Sequence, residues 1–501
     1  MDWKKLISIK NQSGEEPALS EAELKLKPYY EKYPIGHFER DYSEIVTSAP
    51  FRRLQDKTQV FPLDKSDFVR TRLTHSMEVS AIAKQLGTMI INKTEFPLPI
   101  EESIRETLSE PIASILSCAG LLHDLGNPPF GHFGETVIGD WFKTNLSKIE
   151  YNDDKKLEDI LKSHKNGEQM IKELESFNGN AQTLRLLSKP DINISASIVS
   201  TLIKYPENLS YERKKDGSRS EKLGFFSSEN EMLAKVSSVV GIQDKTCRHP
   251  LTFILEAADD IAYITADLED ALKKKLVSLR DLISFFYKYI DKLDNGHKKD
   301  CTRELYDNLN KEYISCYSIK KDDIEIFKNW TVNVQKWLMY VAAWRFAENY
   351  DGKGRYANSF GSIIDGTYSY DLFRDTNHQY TVEMMKEALQ EFVFNDHGIL
   401  KLELSAQTII SSLLNGFINA ARHPLMPWEE EKSKNKYEGS KADRKYLELL
   451  SKNYKNDYDK AKIDSDEAQN LYLRLLMITD FISGMTDSYA QTLYRELSGI
   501  E

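Results

Sequence analysis

The sequence predicts a mainly α-helical fold. Apolar residues recur at three- and four-residue spacing, as in Val79, Ile82, Ala83, Leu86, Met89 and Ile90, while strict alternation is short and rare. No repeat of fixed period and no low-complexity tail breaks that pattern. The polar stretches YERKKDGSRSEK (211 to 222) and EEEKSKNKYEGSKADRK (429 to 445) interrupt the periodicity and read as solvated loops or mobile insertions rather than linkers. One intertwined helical domain over residues 1 to 501 is therefore expected.

Taken in order, TRLTHSMEVSAIAKQL sets His75 one turn before Val79, on the helical face that continues through Ile82 and Leu86, so that an imidazole points into the core. In PIASILSCAGLLHDLGNPPF, the set Ile112, Ile115, Leu116, Ala119 and Leu122 marks one face of a helix expected to open at Pro111 and to stop near Gly126. His123 falls on the buried face and Asp124 beside it in the last turn. A carboxylate buried there needs a partner, because an unpaired buried ion costs several kcal/mol, and a metal ion supplies one. LTFILEAADDIAYITADLEDAL sets Asp259 between Leu255 and Ala262 on an otherwise apolar helix, with Asp260 as the competing inward residue. Two histidines and two aspartates make a mixed nitrogen and oxygen shell suited to manganese, iron, cobalt, magnesium or zinc, with positions left open for water and phosphate oxygen. The plain alternatives are a satisfied core histidine at 75 and a capping or helix-pairing aspartate at 259.

The remaining composition excludes more than it assigns. A formal charge of -11, from 67 basic and 78 acidic residues, argues against a general polyanion binder. Cysteines at 118, 247, 301 and 316 show neither paired nor CxxC spacing, so no disulfide framework or thiolate zinc site is expected. MDWKKLISIK lacks the apolar run of a signal peptide, and no stretch approaches a spanning segment. A reducing cytoplasm without membrane contact is the expected setting.

The order His75, His123-Asp124, Asp259 resembles the metal-dependent HD phosphohydrolase superfamily, whose ligands follow the order H, HD, D on a helical bundle. FRRLQDKTQVFPL (51 to 63), VRTRLTHSMEV (69 to 79), LLHDLGNPPFGHFGE (121 to 135), FNGNAQTLRL (177 to 186), EAADDIAYITADLEDA (256 to 271) and FISGMTDSYA (481 to 490) resemble the deoxyguanosine triphosphate triphosphohydrolases in order and spacing, over nearly the whole chain. That resemblance implies an all-α HD-domain bundle with an HD core at about 66–275 and a C-terminal helical part at about 276–501 that completes the pocket. It implies hydrolysis of dGTP at the α-phosphorus to deoxyguanosine and inorganic triphosphate. One divalent metal per subunit, Mn²⁺ or Mg²⁺ ahead of Fe²⁺, Co²⁺ or Zn²⁺, would be held by His75, His123, Asp124 and Asp259.

The same resemblance assigns proton transfer to His132, oriented by Glu135. Gln59 and Val60 match positions that line the deoxyribose, and Arg72 one that reaches a phosphate. Tyr263 and Asp267, four and eight residues after Asp259, match phosphate and sugar contacts. Lys204 adds phosphate charge, Asn127 and Asn180 line the pocket, and Phe394 and Glu403 in FVFNDHGILKLEL (392 to 404) face the base. The charged region 429 to 464 departs from the family, where basic residues expected near the pocket do not align. Homo-oligomers, often hexamers, and responsiveness to single-stranded DNA occur in the family. Competing readings are a broad deoxynucleotide triphosphohydrolase, another HD phosphohydrolase such as a phosphomonoesterase, and a nucleotide-binding regulator without turnover.

Overall fold

The computed structural model of the chain describes residues 1–15, 36–63, 66–92, 98–152, 154–189, 192–213, 219–244, 246–317, 322–354, 360–424, 439–463 and 465–500. Helices dominate those residues, and the strands form two small antiparallel hairpins, Glu150–Asn152 with Lys155–Lys156 and Leu209–Arg213 with Arg219–Leu223. None of the described helices is long and apolar enough to cross a membrane.

The centre of the molecule is a helix pair, Arg72–Asn92 and Glu102–Leu122, against which the long helices Pro250–Lys273 and Asp323–Glu348 pack. The pair crosses closely because Gly120 has no side chain: a Cβ there would lie 2.5 Å from Ser80 Cα. Of the residues whose spacing predicts the first helix, Val79, Ile82, Ala83, Leu86 and Ile90 are buried and Met89 is partly buried against the same core. Each large aliphatic side chain buried in this way contributes about 1.5 to 3 kcal/mol.

Three expectations are corrected. Pro111 lies inside the helix Glu102–Leu122 instead of opening it. Proline inside a helix costs about 3 kcal/mol or more through the lost backbone donor and the ring clash, and burial of Leu108 and Ile112 on either side (1% and 0% exposed) offsets that cost. The helix also ends at Leu122, so His123 is its C-cap and Asp124 lies in the turn beyond, not in the last helical turn. The polar stretch at 211 to 222 overlaps both strands of the Leu209–Arg213 and Arg219–Leu223 hairpin, since ladder hydrogen bonds between backbones need no apolar alternation. Of the stretch 429 to 445, residues 429–438 lie outside the described part, and Lys441–Leu449 is a helix capped by Ser440.

Buried apolar residues form two clusters that interleave along the chain. One gathers the central helices with residues up to Ile399. The other joins Phe130 and the helix Gly131–Asn145 to the helices His397–Ala421 and Glu467–Ser483. Leu125 belongs to the first and Phe130 to the second, so the turn after His123-Asp124 passes from one to the other.

Candidate active site

Helix faces bring His75, His123, Asp124 and Asp259 together. His75 sits one turn into Arg72–Asn92 and is 1% exposed. The ligand atoms of His75, His123 and Asp124 lie within 4.8 Å of one another. Asp259, in the middle of Pro250–Lys273, closes the group, with Oδ1 3.1 Å from His75 Nε2 and 3.6 Å from His123 Nε2. Asp124 Oδ1 is 3.7 Å from His123 Nε2, and the two imidazoles meet edge to face at 5.3 Å. Asp260 turns away and pairs with Lys386 at 2.9 Å, which decides between the two adjacent aspartates.

The donor set fits a divalent ion. With metal–ligand bonds of about 2.0 to 2.2 Å, neighbouring ligands at near-right angles stand about 3 Å apart, close to the spacings found here. His123 Nδ1 is 2.8 Å from the Gly120 carbonyl, which only accepts, so Nδ1 carries the proton and Nε2 faces the cluster. His123 Nε2, His75 Nδ1 and Arg72 Nε are buried with no hydrogen-bond partner among the described residues. Buried polar atoms are nearly always satisfied, so His123 Nε2, which faces the Asp124 and Asp259 carboxylates, marks a place built for a ligand, while His75 meets the cluster through Nε2 and not through Nδ1. Burial alone would discourage charge on His123, but the Asp124 and Asp259 carboxylates raise it to about 9. Burial likewise opposes charge on Asp124, and the Arg72 guanidinium followed by the His123 and His75 imidazoles holds it below the usual carboxylate range. Arg72 Nη1 donates to Asp124 Oδ2 at 2.6 Å, and Asn127 Nδ2 donates to the other oxygen.

The helix Gly131–Asn145 begins with Phe130 in the left-handed region, φ 63°. It carries His132 and Glu135 in its first turns. His132 Nδ1 donates to Glu135 Oε2 at 2.7 Å, and Glu135 Oε1 accepts from the Gly179 amide at 2.7 Å. Glu135 is buried, whereas the His132 side chain is 81% exposed. The hydrogen bond to Glu135 raises the His132 imidazole above its ordinary value. Gly179 must be glycine here, because a Cβ would lie 2.2 Å from Asn127 Oδ1 and 2.6 Å from Glu135 Oε1.

Around this core the other sequence-selected residues separate into near and far. Asn180 and Lys204 line a narrow cleft with His123, Thr183 and Asp259. Glu256, 3.4 Å from the Lys204 ammonium, raises it further above its usual range. Gln59 Oε1 is buried without a hydrogen-bond partner among the described residues, and Val60 packs on the main core next to the Thr58–Thr71 bridge that leads into Arg72. Tyr263 follows Asp259 by one helical turn, with Lys386 Nζ 5.9 Å from its ring. Asp267 is buried, which pushes its carboxyl well above the usual carboxylate range, and Asp270 adds to the push. Phe394 is exposed at the end of the Gln390–Phe394 turn and Glu403 is half-buried on His397–Ala421. No hydrogen bond among the described residues joins either to the cluster, although the helix of Glu403 packs on Gly131–Asn145 and its Asn415 accepts from Trp141 at 2.9 Å.

A larger groove of about 580 Å³ opens between the helices His297–Tyr317 and Asp323–Glu348, with Trp330, Trp337 and Tyr340 in its walls. It has no histidine or carboxylate in its lining and shares no residue with the cluster.

Sequence reasoning missed Lys57 and Asp487, both buried beside the site. Burial drives the Lys57 ammonium down to about 7. The available signal was a lysine and an aspartate inside two segments, 51 to 63 and 481 to 490, that carry the resemblance without a role for either residue.

Residues 72–204 match the HD domain family. A deoxyguanosinetriphosphate triphosphohydrolase-like protein of Listeria monocytogenes is 39% identical over 471 residues, covering 92% of this chain and 94% of that protein. Proteins named deoxyguanosinetriphosphate triphosphohydrolase from Salmonella schwarzengrund and an Enterobacter species are 32% and 31% identical, each covering 93% of this chain and 94% of their own length. Similarity at that level along almost the whole of both partners, with the HD match spanning His75, His123 and Asp124, means that the chain belongs to the deoxyguanosinetriphosphate triphosphohydrolase family of HD-domain proteins.

Proposed function

We propose that the protein hydrolyses dGTP to deoxyguanosine and inorganic triphosphate, with water attacking the α-phosphorus. The observation that carries this reading is the gathering of two imidazoles and two carboxylates, with His123 Nε2 buried and without a hydrogen-bond partner among the described residues, together with a carboxylate-oriented histidine. His75, His123, Asp124 and Asp259 would hold one divalent ion. When bound, the ion supplies Lewis-acid polarisation of a phosphate oxygen and a lowered pKa for water.

The chain's own groups do the rest. Glu135 fixes the His132 tautomer through Nδ1 and leaves Nε2 outward to protonate the 5′-oxygen as it leaves. Arg72, held by Asp124, turns its remaining donors toward the triphosphate, and Lys204 and Tyr263 add contacts to it. Gln59 and Val60 wall the sugar, so that a 2′-hydroxyl meets both crowding and an unpaired polar group. Asp267 and Asn180 bind the remaining sugar and pocket edges, Asn127 fixes Asp124, and Phe394 with Glu403 reads the base. A broader reading, in which all four deoxynucleoside triphosphates are substrates, draws on the exposure of Phe394 and the absence of any described hydrogen bond from Glu403 to the cluster. Homo-oligomer formation and a single-stranded DNA effector stay attached to the family reading.

Product analysis tests the proposal. Metal-free and Mn²⁺- or Mg²⁺-loaded protein is incubated with each deoxynucleoside triphosphate and with GTP, and nucleosides and phosphates are resolved by ion exchange. Deoxyguanosine with one equivalent of triphosphate, formed only with metal, is expected. Nucleoside mono- or diphosphates would overturn it, and equal turnover of all four deoxynucleotides would favour the broader reading.

A further inference from the structure

The segment FISGMTDSYA contributes no group to the cluster or to the His132–Glu135 pair, yet its Asp487 carboxylate and its Ser483 carbonyl are bonded to both neighbouring loops. Asp487, 1% exposed, opens the helix Asp487–Ser498. Its Oδ1 accepts from the Phe130 amide at 2.9 Å and its Oδ2 from the Thr58 amide at 3.0 Å, while the Thr58 hydroxyl donates to Oδ2 as well. Lys57, 3% exposed, donates from Nζ to the carbonyls of Asn127 at 2.6 Å and Ser483 at 2.8 Å. The Lys57 carbonyl in turn accepts from the Arg72 amide at 2.9 Å.

Every one of these contacts falls beside a group with a chemical task. Thr58 immediately precedes Gln59 and Val60, Phe130 precedes His132 by two residues, and Asn127 holds Asp124. Phe130 is a non-glycine residue with φ 63°, a conformation that persists only where the surroundings fix it, and Asp487 takes the amide of that residue. In a buried site such a network is strong when complete and costly when one member is removed.

We propose that Asp487, with Lys57, is a positioning residue that locks the His132 turn and the Gln59–Val60 wall to the C-terminal segment, so that the proton donor and the sugar are aligned as one unit. This rests on the reaction proposed above. The variant Asp487→Asn keeps the shape but replaces one acceptor oxygen by an NH₂ group, so either Phe130 or Thr58 loses its partner. The expected kcat for dGTP falls by about tenfold to a hundredfold, as small misplacements of reacting groups do, with KM for dGTP little changed. The ratio of kcat/KM for dGTP over GTP narrows, the Phe130 and Gly131 amides exchange hydrogen faster, and Mn²⁺ binding by the metal-free protein is unchanged. Ser488→Ala, which removes an exposed contact to Asp56 at 2.8 Å between the same two segments, keeps the wild-type kcat. Should Asp487→Asn not fold, Thr58→Val removes one donor from the same carboxylate, and the same readouts apply. A wild-type kcat and dGTP-over-GTP ratio in the folded variant would overturn the proposal, as would a loss of activity that tracks lost Mn²⁺ binding without faster exchange at the Phe130 and Gly131 amides. Faster exchange at the Phe130 and Gly131 amides in an enzyme that turns over no nucleotide even as wild type would leave the clamp standing and sink the reaction.

Discussion

The proposed metal-ligand cluster and the His132–Glu135 pair are built by opposite means. His75 and Asp259 project from the interiors of long helices, with His123 at the end of a third, and their positions follow from helical packing in one apolar core. His132 stands on the first turn of a helix in the second core, 81% exposed, and its aim depends on a left-handed residue, one buried glutamate and a glycine amide. The cluster is therefore a product of periodicity, and the pair a product of backbone detail at the seam between two cores. The first is robust to distant change and the second is not.

Substitutions separate the two. The largest effect belongs to His123→Ala, which removes a proposed ligand and takes the imidazole from beside Asp124 while leaving His75 against Asp259. Turnover should fall by about a thousandfold or more, with loss of bound metal measured by elemental analysis. His132→Ala should cost about 10² to 10⁴-fold in kcat with metal content intact, and metal loss in that variant would erase the distinction between the two regions.

Glu135→Gln tests the electrostatics of the pair. The hydrogen bond to Glu135 raises the His132 imidazole, so the protonated acid is present below that raised value and is lost as pH rises through it. A neutral amide lowers the value. The alkaline fall in kcat should move to lower pH, with a loss at the optimum of about tenfold, and an unmoved pH–rate profile would remove His132 from the role of acid. Gly179→Ala presses on Asn127 and Glu135 together, and calorimetry or denaturant titration should show destabilisation of about 1 to 3 kcal/mol. The smallest effect is expected for Asp260→Asn, whose partly exposed pair with Lys386 is worth under about 1 kcal/mol. Its metal content should match wild type, while Asp259→Asn should bind metal poorly.

The same contrast explains what could be read in advance. The helical class and His75, His123 and Asp259 follow from three- and four-residue spacing, because a polar residue on an apolar face stands out. Asp259 and Asp260 are adjacent, however, and only Lys386, 126 residues away, separates them. Pro111 resembles a helix start, since the burial of Leu108 and Ile112 that offsets its cost is tertiary. Lys57 and Asp487 depend on contacts across more than 350 residues, to Ser483 and to Phe130, that no local pattern encodes.

The most direct test of the account is hydrolysis in oxygen-18 water by the metal-loaded enzyme, with mass analysis of both products. Attack at the α-phosphorus with His132 protonating the departing 5′-oxygen predicts one heavy oxygen in the triphosphate and unlabelled deoxyguanosine. Label in the nucleoside, or in orthophosphate or pyrophosphate released in its place, would contradict it.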